Sequence, residues 1–149
     1  MSFITRLCGD FDQSAQAELG TYDLITAIEI IEHVANPEAL VALAAEHLAP
    51  NGWFVITTPN IYSLRLRMRF LLTGRLHSFD TNGDPTHAHP LILQPTQTIL
   101  LRHGLELAQT LTYDGNGSRW FARLAERALS LALPNDLPGD NLSLFLRKR

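Results

Sequence analysis

Two carboxylates and one imidazole occur close together at Glu29, Glu32 and His33. Positions i, i+3 and i+4 of a helical turn share one face, so this spacing predicts that the three side chains converge. Such a set can bind a divalent metal, Mg²⁺, Mn²⁺ or Zn²⁺. The alternative is a hydrogen-bonded cluster without a metal, in which Glu32 orients His33.

His33 also has the chemistry of a general base. An imidazole titrates near neutral pH, at about 6.5 when unperturbed, and can therefore remove a proton from a substrate hydroxyl group. The alternative is a structural histidine at the end of a strand. The sequence leaves both interpretations open.

The segment carrying these residues follows an apolar run of strand length at 22–28. Asn36 and Pro37 are typical of the start of a helix, and Asn51-Gly52 predicts a left-handed end to that helix. A second apolar run, 53–58, follows and stops at a proline. Strand, helix and strand in this order predict a parallel βαβ unit, whose strand ends would carry the chemistry.

The rest of the chain extends the same α/β pattern over one domain, 1–149. The further elements we predict are a strand at 3–8, a helix at 61–72 with an apolar stripe, a long loop at 73–90, a helix at 95–103, and strands at 105–113 and 141–147. An amphipathic segment from Ser118, with Trp120 and Leu124 among its apolar residues, predicts a helical insertion at about 118–139 before the last strand.

Several segments together resemble class I S-adenosylmethionine-dependent methyltransferases. Residues 22–37, Tyr-Asp-Leu-Ile through Glu-His to Asn-Pro, resemble that family's fourth strand and its E-x-x-E-H motif. Residues 48–53 resemble the turn into the fifth strand, and 57–60 (Thr-Thr-Pro-Asn) resemble its end. Residues 101–106 and 142–148 resemble the segments around the sixth and seventh strands.

The resemblance implies a partial Rossmann-like methyltransferase sheet, third to seventh strands, with flanking helices. It implies S-adenosylmethionine as cofactor, with Asp10, Phe11 and Glu29 on the cofactor side and His33 and Glu32 as catalytic residues. In the small-RNA 3′-end and quinone-pathway branches the E-x-x-E-H motif is associated with a divalent metal. The metal ligands implied here are Glu29, Glu32, His33 and His87.

The chain departs from the family at its amino-terminal side, because no G-x-G motif precedes Tyr22. The glycine-rich loop and the acidic residue for the ribose are therefore missing, and we expect the chain alone to bind the cofactor weakly. The first hypothesis is an O-methyltransferase for a small-molecule or lipid- or sugar-linked acceptor, completed by a homo-oligomer or by a partner supplying the other half. The second is a non-catalytic remnant that serves as an oligomerisation or binding module.

Composition excludes several other classes of function. A net charge of −3 and 46% apolar residues are ordinary for a globular domain and give no general attraction to nucleic acid. Arg65, Arg67, Arg69 and Arg75 are interpreted as a solvated face rather than an RNA site. The alternative for them is contact with an acidic lipid-linked or phosphorylated acceptor. The single cysteine, Cys8, and the lack of an apolar run long enough to span a bilayer predict a cytoplasmic protein with no membrane span.

Overall fold

The computed structural model describes residues 20–80, 83–113 and 137–149. These residues form a four-stranded sheet of order β1-β2-β4-β3, with strands β1 (Tyr22–Ile28), β2 (Leu48–Pro59), β3 (Leu105–Tyr113) and β4 (Asn141–Lys148). The connections contain helices α1 (Pro37–His47), α2 (Leu64–Thr73) and α3 (Leu93–Arg102), and a 3₁₀ turn, His77–Phe79. None of these helices has the length and apolarity needed to cross a membrane.

The sheet is mixed, which confirms the predicted α/β class. β1 and β2 are parallel and joined through α1, whereas β4 is antiparallel to both of its neighbours, β2 and β3. The predicted strand at 3–8 and the insertion up to residue 136 lie outside the described residues.

One face of the sheet carries the hydrophobic core. Phe54 and Ile56 of β2 and Leu144 of β4 are completely buried, and they pack with residues of α1 and α3. Side chains alternate between the two faces of a strand, so the residues between them point to the opposite face. On that opposite face β1, β2 and β3 expose large apolar side chains, namely Leu24, Ile28, Trp53, Leu111 and Tyr113, and Phe145 of β4 is half-buried.

Helix α1 begins as predicted but ends earlier. Asn36 caps it by accepting a hydrogen bond from the Ala39 amide at 3.2 Å. The helix ends at His47, not at Asn51-Gly52, and Asn51 takes its left-handed conformation (φ 63°) within β2 instead.

The early end of α1 is stabilised from the far end of the chain. Lys148 is the last residue of β4, and its Nζ donates to the carbonyl oxygens of Ala45 and Leu48, each at 2.6 Å. An ammonium group satisfies carbonyl groups that have no partner inside the helix and interacts favourably with the negative end of its dipole. Lys148, at the end of the last strand, thus caps helix α1.

Helix α2 forms as predicted, but its apolar stripe does not pack on the core. Ser63 caps its first turn and Gly74, at φ 66°, ends it. Leu66 is the single buried residue of the helix, whereas Leu71 and Leu72 are among the most exposed large apolar residues described.

We expect Gly52→Ala to destabilise the domain. A Cβ at this position would lie 2.9 Å from the Ala49 carbonyl oxygen and 3.1 Å from that of Asp23, and neither backbone atom can move freely. Overpacking of this kind costs typically about 1–3 kcal/mol. Urea unfolding measures the loss. Gly20→Ala is the control, since nothing lies within 4 Å of its Cβ. Equal stability of the two variants would contradict the packing role of Gly52.

Candidate active site at the carboxyl edge of the sheet

The site begins where β1 and β2 end side by side. Glu29 is the first residue after β1, and its amide donates to the carbonyl oxygen of Thr57 at 3.1 Å and to the Thr57 hydroxyl at 3.0 Å. Its φ of 50° turns the chain out of the strand. The predicted helical turn does not form, and residues 30–33 make a turn closed by the His33 amide and the Ile30 carbonyl at 2.9 Å.

A distant loop returns over this turn, as expected. The amides of Ala88 and His89 both donate to the backbone carbonyl of Glu32, at 2.8 and 3.1 Å. This attachment places the His87 ring beside that of His33, with centroids 4.6 Å apart and the planes at 66°.

Three of the four predicted metal ligands converge. Glu32, His33 and His87 each offer one ligand atom, and these atoms lie within 4.8 Å of one another. Glu29 does not belong to this group, because the chain turns at Glu29 rather than continuing as a helix. Glu32 is buried, His87 is half-buried and His33 is exposed, so the cluster faces solvent on the His33 side.

The carboxylate of Glu32 is fully buried, and neither of its oxygens has a hydrogen-bond partner in the described part of the chain. Burial raises the pKa of the Glu32 carboxyl above its usual range; an interaction with the backbone of Glu32 itself and the nearby His33 and His87 oppose this rise, and the Glu29 carboxylate adds to it. A buried carboxylate without a partner is costly unless it meets a cation or a proton. The buried Glu32 carboxylate therefore favours binding of a proton or a cation at this site.

A short hydrogen-bond chain fixes the tautomer of His33. The Thr86 hydroxyl donates to Asp84 Oδ1 at 2.5 Å, which uses its one hydrogen. Thr86 Oγ1 also lies 2.9 Å from His33 Nδ1, so there it acts as the acceptor of an Nδ1–H group. The lone pair of neutral His33 is then on Nε2.

His87 adopts the same tautomer for a different reason. Its Nδ1 lies 2.7 Å from the carbonyl oxygen of Ser78, and a carbonyl can only accept. Nδ1 therefore carries the hydrogen, and the lone pair is on Nε2. Imidazoles held in this way through one nitrogen are typical of metal ligands and of general bases.

Asp84 and Thr86 are parts of the site that the sequence did not predict. Both the hydroxyl and the amide of Thr86 donate to Asp84 Oδ1, the amide at 2.9 Å, and these bonds hold the pKa of the Asp84 carboxyl below its usual range. The available signal was the Asp-Pro-Thr sequence, since an aspartate often hydrogen-bonds the backbone two residues later. Asp10 and Phe11, predicted on the cofactor side, lie outside the described residues.

Asn60 anchors the edge on which the site is built. It is completely buried, and its side-chain amide donates to the carbonyls of Leu137 and Gly139 at 2.6 and 2.8 Å. Its Oδ1 accepts from the Tyr62 amide at 2.8 Å. One side chain thus ties the end of β2 to the start of β4, which explains why an asparagine follows the proline that ends the strand.

Known proteins share this sequence pattern. A family model described as a methyltransferase domain matches residues 5–110. The ubiquinone biosynthesis O-methyltransferase of Burkholderia ambifaria (strain MC40-6) is 28% identical over 110 residues, covering 71% of this chain and 47% of that protein. The enzyme of the same name from Shewanella pealeana is 31% identical over 99 residues, covering 64% of this chain and 41% of that protein. The chain spans about half the length of the curated relatives it matches.

Solved structures share the fold. A SAM-dependent methyltransferase from Archaeoglobus fulgidus is similar with a TM-score of 0.58 and 17% identity, covering 91% of this chain and 64% of that one. An S-adenosylmethionine-dependent methyltransferase from Mesorhizobium loti is similar with a TM-score of 0.52 and 18% identity, covering 87% and 63%. The matched family and the shared Rossmann-like fold agree with the strand ends and motifs described above. The chain belongs to the class I methyltransferases, whose cofactor is S-adenosylmethionine.

Proposed function

We propose that this chain supplies the acceptor-side edge of an S-adenosylmethionine-dependent O-methyltransferase, with His33 as general base. The observation that carries the proposal is the His33 ring: its Nδ1 is held 2.9 Å from Thr86 Oγ1, which leaves the lone pair on Nε2, and the ring lies in one cluster with His87 and the buried Glu32 carboxylate. The names of the relatives support an oxygen acceptor.

The residues of this chain would handle the proton of the acceptor. S-adenosylmethionine, when bound, supplies an electrophilic methyl group, so the protein has mainly to align the acceptor and remove a proton. His33 Nε2 accepts the hydroxyl proton, and the carboxylate of Glu32 stabilises the imidazolium that results. Glu29, at the end of β1 with a buried and unpartnered Oε1 in the described part, fits a polar contact to the cofactor.

A divalent cation bound by Glu32, His33 and His87 is the second candidate for this site. The unpartnered carboxylate and one ligand atom from each histidine within 4.8 Å support it, and two nitrogens with one carboxylate favour Zn²⁺ or Mn²⁺ over Mg²⁺. Three protein ligands leave a position for an acceptor oxygen, where a metal lowers the pKa of a bound hydroxyl. The two roles are alternatives, because the Nε2 lone pair of His33 takes either a metal or a proton.

A second copy or a partner would complete the domain. The outer edge of β1 has no strand neighbour among the described residues, and the sheet face behind it exposes Leu24, Ile28 and Trp53. A central strand in this class of fold is covered on both faces. The partner that supplies the glycine-rich loop would bury this edge and provide the cofactor half of the site.

We expect His33→Ala to abolish methyl transfer. Loss of a general base costs on the order of 10²–10⁴-fold in rate. The full chain, carrying a carboxyl-terminal tag, is purified from its own host so that bound partners are retained, and tritiated methyl transfer to a panel of phenols, catechols and sugars is measured. His47→Ala is the matched control, since its ring contacts Gly20 at the opposite end of β2. Lack of transfer by the parent assembly would favour the non-catalytic remnant, and equal rates in both variants would exclude His33 as the base.

We expect Thr86→Val to change the tautomer of His33 while Thr86→Ser preserves it. Valine cannot accept the Nδ1–H bond, whereas serine keeps the hydroxyl. Ring ¹⁵N chemical shifts of His33 give the populations directly, and we expect an accompanying fall in methyl transfer of roughly 10–100-fold, as for other outer positioning contacts. An unchanged spectrum in the valine variant would show that Thr86 does not orient the ring.

We expect Glu32→Gln to separate the metal hypothesis from the metal-free one. If a cation binds, saturating Zn²⁺ or Mn²⁺, at 100 times the dissociation constant, stabilises the parent chain by about 2.7 kcal/mol and the variant far less. Without metal the variant should melt higher than the parent, because an amide is buried more cheaply than a carboxylate. Thermal melts with and without metal measure both effects, and no metal shift in the parent would exclude the cation site.

We expect Leu24→Arg to weaken assembly. The substitution places a charge on the exposed apolar face beside the free edge of β1, where a covering partner would have to bury it. Sedimentation velocity at micromolar concentration gives the mass. Leu101→Arg, an equally exposed leucine on α3 away from that face, is the control. A stable monomer in the parent chain would contradict the proposed coverage.

A further inference from the structure

Helix α2 presents an apolar face to solvent instead of to the protein. Leu64, Met68, Leu71 and Leu72 have the i, i+4, i+7, i+8 spacing of one helical stripe. Leu66, on the other side of the helix, is the residue buried against the domain, and Leu71 and Leu72 are 75% and 77% exposed. The helix is therefore docked through one side and has no partner on the other within the described part of the chain.

The flanks of this face carry positive charge. Arg65, Arg67, Arg69 and Arg75 fall within residues 60–79, which contain no acidic residue, although the chain as a whole has a net charge of −3. Arg65 pairs with Asp140 at 2.5 Å. Among the described residues, Arg67 and Arg69 have no ion pair and are exposed. The local charge is thus opposite in sign to the average of the chain.

We propose that α2 lies in the interface of an anionic lipid membrane, with the exposed Met68, Leu71 and Leu72 inserted among the acyl chains and the half-buried Leu64 at the edge of this face. A helix with an apolar face bordered by arginines binds such a surface through buried area together with electrostatic attraction. Arginine side chains can bury their aliphatic parts while the guanidinium stays at the headgroups.

Because of where α2 lies, membrane contact would also determine how a methyl acceptor reaches the candidate site. This step rests on the proposed function. The helix follows the end of β2 after Asn60 and Ser63 and leads through Gly74 to the loop that carries Asp84 and His87. Membrane contact through α2 would therefore hold the carboxyl edge of the sheet near the lipid surface. An amphipathic acceptor with a lipid tail could then reach His33 without leaving the bilayer.

The test is co-sedimentation of the full chain with sucrose-loaded vesicles, which requires no cofactor, acceptor or activity. We expect binding to phosphatidylcholine vesicles that contain phosphatidylglycerol, weaker binding to phosphatidylcholine alone, and release by salt. Arg67→Gln with Arg69→Gln should lower the partition coefficient about thirtyfold, since each basic residue near an anionic surface contributes about 1 kcal/mol.

Leu71→Asp with Leu72→Asp should abolish vesicle binding, and Leu101→Asp, a similarly exposed leucine on α3, should leave it unchanged. Because all three leucines are exposed, circular dichroism and melting should not change. Equal binding to both kinds of vesicle, or unaltered binding of the double leucine variant, overturns the proposal. A fall in sedimenting mass for the double variant without vesicles also overturns it, because the face would then be a contact between copies.

Discussion

The candidate site depends on the backbone carbonyl of Glu32. This carbonyl oxygen accepts hydrogen bonds from the amides of Ala88 and His89. These bonds hold the loop that carries His87 against the turn that follows β1. His87 meets His33 because of these two hydrogen bonds. The side chain of Glu32 is not needed for this attachment, so structure and chemistry at this residue can be changed independently.

The same residue carries a buried carboxylate whose pKa is raised by its burial. Its carboxylate has no hydrogen-bond partner among the described side chains, and it lies beside two histidines whose Nδ1 atoms are each held by a hydrogen bond. Natural proteins retain such costly arrangements mainly where they serve a function. A proton taken from an acceptor, or a divalent cation, would each supply the missing positive charge.

Local sequence signals were sufficient for much of the fold. The limits of β1 and β3, the cap at Asn36 and the parallel pairing of β1 with β2 follow from apolar runs, capping chemistry and short connections. The predicted end of α1 was wrong because the helix is capped by a distant residue. Lys148, a hundred residues downstream of Leu48, binds the carbonyl oxygens of Ala45 and Leu48 at the end of the helix. An interaction of that range leaves no local signal.

The site was predictable in its residue types and only partly in its geometry. Convergence of His33 and His87 follows from the adjacent strand ends of a parallel sheet, but the spacing from Glu29 to His33 gave a false helical turn, because left-handed Glu29 breaks that periodicity. The exposed stripe of α2 shows the same limit. Periodicity predicts which residues share a face, whereas the packing partner of that face depends on the whole fold.

In His33 and His87 the hydrogen is assigned to Nδ1, which leaves an unprotonated Nε2 on both rings of the cluster that contains the buried Glu32. Neutron diffraction from deuterated crystals grown above neutral pH observes these positions directly. We expect deuterium on Nδ1 of both histidines, shared with Thr86 Oγ1 and with the Ser78 carbonyl oxygen, and none on either Nε2. Deuterium on His33 Nε2 with a bare Nδ1 would contradict this assignment, since Nε2 could then neither accept a proton nor bind a metal.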